Sequence, residues 1–180
     1  MISWDPELEK ALLDFAPGVT KESIIEAIHQ KPGLFEQFWS LAMNGTQPAA
    51  WRAAWVADSF DEKYPGHFTP YLHDICDRVV NEKHDGLRRA MLRILLRYPI
   101  PEELEHDLME VLFRYLFDGK TASDKVLPMK ILFNMTKKYP ELDRELYDSI
   151  EMQLDLEGKA FVSAGNKIMT ALRKRNPGLS

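Results

Sequence analysis

Few residues in this chain combine the type and spacing that chemistry needs. The densest group of potential metal ligands is His67, His73, Asp74, Cys76 and Asp77. On a helix, His73 and Asp77 stand four residues apart on one face and offer donors that zinc accepts. Cys76 falls on the apolar side of the same stretch and reads as core. As the single cysteine it also excludes an internal disulfide and any zinc site built on two thiolates. Carboxylates are plentiful, in a row from Glu102 to Asp118 and a second from Glu141 to Glu157. General acid–base work needs a carboxyl whose pKa is moved by burial, and a solvated row provides no such setting. There is no Ser/His/Asp signature, no glycine-rich phosphate loop and no His-Glu-x-x-His. The expectation is a chain with no catalytic residue, no metal and no cofactor.

Charge is sorted along the chain instead of scattered. One stretch carries Arg88, Arg89, Arg93 and Arg97 with no acid from Gly86 on. Another carries Lys125, Lys130, Lys137 and Lys138 against Asp124, and the residues after Gly158 are also basic. The two carboxylate rows lie between these stretches. The formal net charge of -5 argues against general affinity for nucleic acid.

The elements that position these groups are helices. Leu occurs 22 times, whereas Val and Thr together occur 13 times. Straight-chain Leu keeps more rotamer freedom in a helix than β-branched side chains do. Start and stop signals mark about ten helical segments. They are expected over 5–15, 20–30, 34–44, 48–64, 69–81, 85–98, 101–117, 123–139, 141–156 and 160–174. Thr20 and Ser123 are the expected caps of the second and eighth. Ala16-Pro17-Gly18, Pro32, Gly45 and Gly158 read as breaks. Apolar residues make up 45% of the 180 positions, enough for a core in one domain or a short repeat array. No basic-then-apolar leader and no long apolar run appears, so neither a signal peptide nor a membrane span is expected, and a cytoplasmic protein is.

Three Tyr-Pro pairs, each after a basic residue, organise the middle of the chain: Lys63-Tyr64-Pro65, Arg97-Tyr98-Pro99 and Lys138-Tyr139-Pro140. Counted back from the proline, position -12 holds Ala53, Leu87 and Pro128, and position -9 holds Val56, Ala90 and Ile131. Position -8 holds Ala57, Met91 and Leu132; position -5 holds Phe60, Ile94 and Met135. These spacings, with the tyrosine at -1, make one apolar stripe on a helix. The proline ends each helix because the residue before it is pushed out of the α region. The following helices are amphipathic as well, through Leu72, Ile75, Cys76 and Val79 in the first of them. A unit of helix, proline turn and second helix, repeated at intervals of 34 and 41 residues, stacks into an α-solenoid. Away from the stripe, positions -10, -6 and -2 form a mostly basic ladder. Its members Trp55, Arg89, Arg93, Arg97, Lys130 and Lys138 are the candidate partner-binding residues. Arg89, Arg93 and Arg97 lie at i, i+4 and i+8 with no acid in their own helix from Gly86 on, so either neighbouring acids of the fold or an outside partner must neutralise them, and the partner is expected. Trp51 and Trp55 are expected to pack near Phe38, Trp39 and Leu41.

The pattern resembles HEAT-like repeats, and Pro128 inside the first helix of its pair matches the kinking proline of that repeat type. Residues 50–58 (AWRAAWVAD), 84–103 (HDGLRRAMLRILLRYPIPEE) and 130–146 (KILFNMTKKYPELDREL) resemble a family of small bacterial HEAT-like proteins without established function. The resemblance implies an all-α fold, a right-handed superhelix of stacked helical pairs. Residues 1–47 would form a helical cap, 48–83, 84–120 and 121–158 the repeats, and 159–175 a closing helix. It also implies that the second helices line the concave side, which would make that side acidic. Members of the family sometimes carry the label adenylosuccinate lyase. That superfamily has a loop resembling Ser-Ser-x-Met-Pro-x-Lys-x-Asn, whereas Pro128, Lys130 and Asn134 here follow no serine pair and lie in a repeat helix. No lyase activity is expected. The reading is a non-catalytic protein-interaction scaffold, with another protein as partner. The alternative is a nucleic-acid module resembling DNA-alkylation-repair proteins, for which the basic ladder would supply charge.

Overall fold

The computed structural model describes residues 4–14, 20–31 and 33–179. The expected breaks at Ala16-Pro17-Gly18 and Pro32, and the expected end of the first helix at Phe15, lie outside these residues. Among the described residues the chain forms ten α-helices and no strand. They are α1 (Pro6–Asp14), α2 (Lys21–Gln30), α3 (Leu34–Asn44), α4 (Ala49–Lys63), α5 (Leu72–Asn81), α6 (Asp85–Leu95), α7 (Glu105–Asp118), α8 (Ala122–Met135), α9 (Leu142–Glu151) and α10 (Lys159–Arg175). The fold is all-α, of the α-solenoid class. Two units divide it, up to Ile94 and from Leu95 on.

Local chemistry accounts for the boundaries. Thr20 caps α2 with a capping box: its hydroxyl accepts from the Ser23 amide at 3.1 Å and Ser23 Oγ accepts from the Thr20 amide at 3.1 Å. The cap of α8 is Thr121, not the expected Ser123. Thr121 Oγ1 accepts from the Asp124 amide at 3.3 Å, and the Asp124 carboxylate accepts from the Thr121 amide at 3.1 Å. Asp124 supplies the reciprocal bond, so the helix starts two residues earlier. The helices before two Tyr-Pro pairs end sooner than expected, at Leu95 and Met135. After Met135 the chain tightens into i to i+3 bonds, Lys137 N to Asn134 O and Lys138 N to Met135 O. That turn carries Lys138 and Tyr139 off the helix axis. In place of single helical starts, short 3-10 turns at Thr69–Tyr71 and Glu102–Leu104 lead into α5 and α7.

In the first unit α3 and α4 make the most extensive pairing, and α1 and α2 also pack on α4. Arg52 of α4 closes the end of α1 by donating to the carbonyls of Leu12 and Leu13 at 2.6 and 3.0 Å. In the second unit α7 packs along α8, and α10 covers α8 and α9. Gly165 permits that close approach: a Cβ there would lie 2.7 Å from Ile150 Cγ2. The twelve stripe positions at -12, -9, -8 and -5 are buried, with Ile94 and Leu132 wholly enclosed, whereas the tyrosines at -1 are only half-buried. Cys76 is buried too, as its place on the apolar side requires, and burial pushes its thiol up to about 12. His73 and Asp77 are exposed on the same helix, and among the described residues no group of three ligand-type side chains could hold a metal ion.

Candidate functional site

Two cations of the basic ladder are held by the protein's own acids. Arg93 on α6 reaches Asp58 on α4, with Nη2 and Oδ2 2.5 Å apart; the Asp58 side chain is wholly buried. Lys138 Nζ lies 2.6 Å from Glu105 Oε2 and 3.1 Å from Glu102 Oε1. Of the two sources of compensation, a neighbouring acid and not a partner is the one found at Arg93, and Lys138 is answered in the same way. Each carboxylate lies close enough to form an ion pair across the helix–helix contact. Arg89 is half-buried, Arg97 and Lys130 are exposed, and Trp55 is half-buried with the Lys21 ammonium 5.1 Å from its ring centre. Trp51 stacks on His84, with ring centres 6.4 Å apart.

The same logic explains the sorted charge of the second unit. Arg175, at the end of α10, bonds the buried Asp143 carboxylate on α9 through Nε at 3.0 Å. It also donates to Thr136 Oγ1 at 2.6 Å. Lys125 pairs with Glu157 at 2.7 Å and donates to Gln153 at 2.8 Å. Basic and acidic helices alternate because they answer one another.

Two basic-Tyr-Pro turns form carboxylate clips that sequence reasoning missed. Tyr139 donates its hydroxyl to Glu105 Oε2 at 2.6 Å, beside the Lys138 ammonium on the same oxygen. Lys63 and Tyr64 do the same to Glu26 Oε2 at 3.6 and 3.4 Å. The Glu105 bond raises both Lys138 and Tyr139 above their ordinary ranges. The signal was present in the repeated Lys-Tyr-Pro itself, but its acceptors stand at unrelated spacings.

One clip shapes a groove. Tyr139, fixed by Glu105, walls a cavity of about 520 Å³ between α7 and the start of α9. Met109 and Phe113, one turn apart on α7, and Leu142 on α9 give it an apolar lining. Glu110, Glu141 and Glu145 stand exposed around it. These glutamates belong to the two carboxylate rows of the sequence; the apolar lining between them was not anticipated. A surface of this composition fits an apolar anchor flanked by positive charge.

A family model described as HEAT repeat domain matches residues 9–172. The chain belongs to the HEAT repeat family. The match begins within α1, so it takes in the helices before residue 48 as well. No curated protein and no solved structure matches this HEAT repeat chain. Among the described residues, no helix of it is long and apolar enough to cross a membrane.

Proposed function

We propose that this HEAT repeat protein is a non-catalytic interaction scaffold that holds a basic amphipathic segment of another protein in the groove between α7 and α9. The observation that carries the reading is the apolar lining of Met109, Phe113 and Leu142 ringed by Glu110, Glu141 and Glu145. An apolar anchor leaving water for that lining supplies affinity, and the glutamates select the sign of its neighbours. The basic ladder of Arg89, Arg93, Arg97, Lys130, Lys138 and Trp55 remains a second proposed contact, with Arg93 and Lys138 also bonded to Asp58 and Glu105. The nucleic-acid alternative rests on that ladder alone.

The test is fluorescence anisotropy with three labelled probes: a helical peptide of alternating Leu and Lys faces, its Glu counterpart and a duplex DNA oligonucleotide. The basic peptide should bind, weaken with salt as exposed charges are screened over about 10 Å at 0.1 M, and weaken again with Phe113→Ala or Glu145→Lys. Preference for DNA, or basic-peptide binding untouched by both variants, would overturn the proposal.

A further inference from the structure

A second cavity, of about 580 Å³, opens in the first unit between α3 and α5. Tyr71 forms its aromatic side with Trp39, only 3% exposed, behind it; their ring centres lie 6.0 Å apart and the rings are inclined by 50°. Met43 adds a thioether. Glu36, Asp74 and Asp77 bring three carboxylates to the same lining. Among the described residues none of these three takes part in an ion pair. One oxygen of Glu36 is shut off from solvent and accepts no hydrogen bond. A carboxylate oxygen in that state lacks a donor and leaves negative charge uncompensated. The cavity's one cation does not supply it. Arg78 is turned to Glu82, with Nε 2.6 Å from Oε2, and to the carbonyl of Met43 at 3.4 Å. The negative field is felt at Tyr71, whose hydroxyl is pushed up first by burial and then by Glu36 and Asp74.

Rings, a thioether and uncompensated carboxylates together favour a cation with an apolar tail. Ring faces attract positive charge, and apolar atoms cover the rings and the sulfur. A bare metal ion does not fit, because the carboxylates do not converge into a ligand set. The volume is also far larger than an ion needs. We propose that the cavity between α3 and α5 is a binding site for the protonated head of a linear alkylamine. The ammonium lies against Glu36 and Asp74, and the chain runs over Tyr71 and Met43. The site is independent of the groove between α7 and α9.

The experiment is a titration of the ¹⁵N-labelled full chain with pentylammonium chloride at neutral pH, followed by amide shifts. 1-Pentanol, of equal length and no charge, is the control probe. Pentylammonium should give saturable shifts confined to α3 and α5, with pentanol at least tenfold weaker. Glu36→Gln should weaken pentylammonium at least tenfold, and Asp74→Asn, at an exposed position, should weaken it severalfold with the fold intact. Glu145→Gln, in the other groove, should leave it unchanged. Equal binding of the alcohol, unaltered binding in both Glu36→Gln and Asp74→Asn, or shifts that report on α7 and α9 would overturn the proposal.

Discussion

The same three-residue phrase, Lys-Tyr-Pro, builds two clips that differ in grip. In the second unit, Lys138 and Tyr139 both reach Glu105 at 2.6 Å, and the Glu105 side chain is only 11% exposed. In the first unit, Lys63 and Tyr64 stand 3.6 and 3.4 Å from Glu26, whose side chain is 46% exposed. Glu26 also accepts from its own helix neighbour Gln30 at 3.0 Å. Tyr64 is held by its ring instead, stacked on His29 with centroids 4.0 Å apart and planes within 4°. The motif specifies a turn that presents a cation and a phenol. What they bind, and how firmly, depends on where the neighbouring acid sits. A partly dehydrated carboxylate makes stronger charged hydrogen bonds than a solvated one.

If the clips are attachments to a packed stripe, damage to the stripe must outrank damage to either clip. Leu132 is wholly enclosed at the repeat position where the first unit has Ala57. Leu132→Ala should cost about 2–5 kcal/mol, read from urea denaturation. A smaller loss than that of any clip variant would break the ranking.

Arg93 and Asp58 make a sharper comparison, because their carboxylate is more buried than Glu105. Arg93→Glu sets a second negative charge against an acid with no exposed side-chain surface. Removing one partner of a fully buried pair costs about 3–5 kcal/mol. Arg93 is itself 40% exposed, so solvent screening reduces the expectation to about 2 kcal/mol. A folded Arg93→Glu protein of unchanged stability would return that arginine to the proposed binding surface. Glu105→Gln comes next. It keeps the shape and removes the charge beneath two donors, and should lower the urea midpoint by less than Arg93→Glu does, because solvent screens Lys138.

Acid and alkali separate the clips by sign. Lys138 and Tyr139 are raised above 10.5 and 10.0, chiefly by their bonds to Glu105. A raised value means that the folded protein holds the proton more tightly. That contribution is fully present below the ordinary values and is lost as pH rises through the folded ones. Glu26 is lowered below 4.5, first by its bond from Gln30, so its contribution is present above 4.5 and lost as pH falls through the folded value. Urea midpoints of wild type and Glu105→Gln should converge above pH 10. Those of wild type and Glu26→Gln should converge on the acid side. Parallel curves in either range would remove the assignment.

The fold was legible because it rests on repeated apolar spacing, which needs no knowledge of partners. The stripe is buried at every position except its tyrosines, which are half-buried. The site was less legible, since each of its features joins residues that sequence distance does not connect. Asp58 read as one acid in a run of alanines, and Glu105 as one acid in a row of six. The acids that answer Arg93 and Lys138 lie outside those residues' own helices, which sequence spacing does not reveal. Likewise the linings of Met109 with Leu142 and of Trp39 with Tyr71 exist only once two helices have packed.

The smallest expected effect tests the comparison most directly. Tyr64→Phe removes a hydroxyl that bonds Glu26 at 3.4 Å on an open surface and keeps the ring that stacks on His29. Tyr139→Phe removes a hydroxyl that bonds a largely buried carboxylate at 2.6 Å. If grip follows the burial of the acid, Tyr64→Phe leaves the melting temperature within experimental scatter and Tyr139→Phe lowers it clearly. His29→Ala, which takes away the stack, should then cost more than Tyr64→Phe. The ring contact is a short-range packing term that salt does not screen, whereas the open hydroxyl bond competes with water. Raising the ionic strength should therefore leave the His29→Ala deficit in place. Equal losses from the two tyrosine variants would mean that the Lys-Tyr-Pro turn sets the strength of the clip by itself, whatever acid it meets.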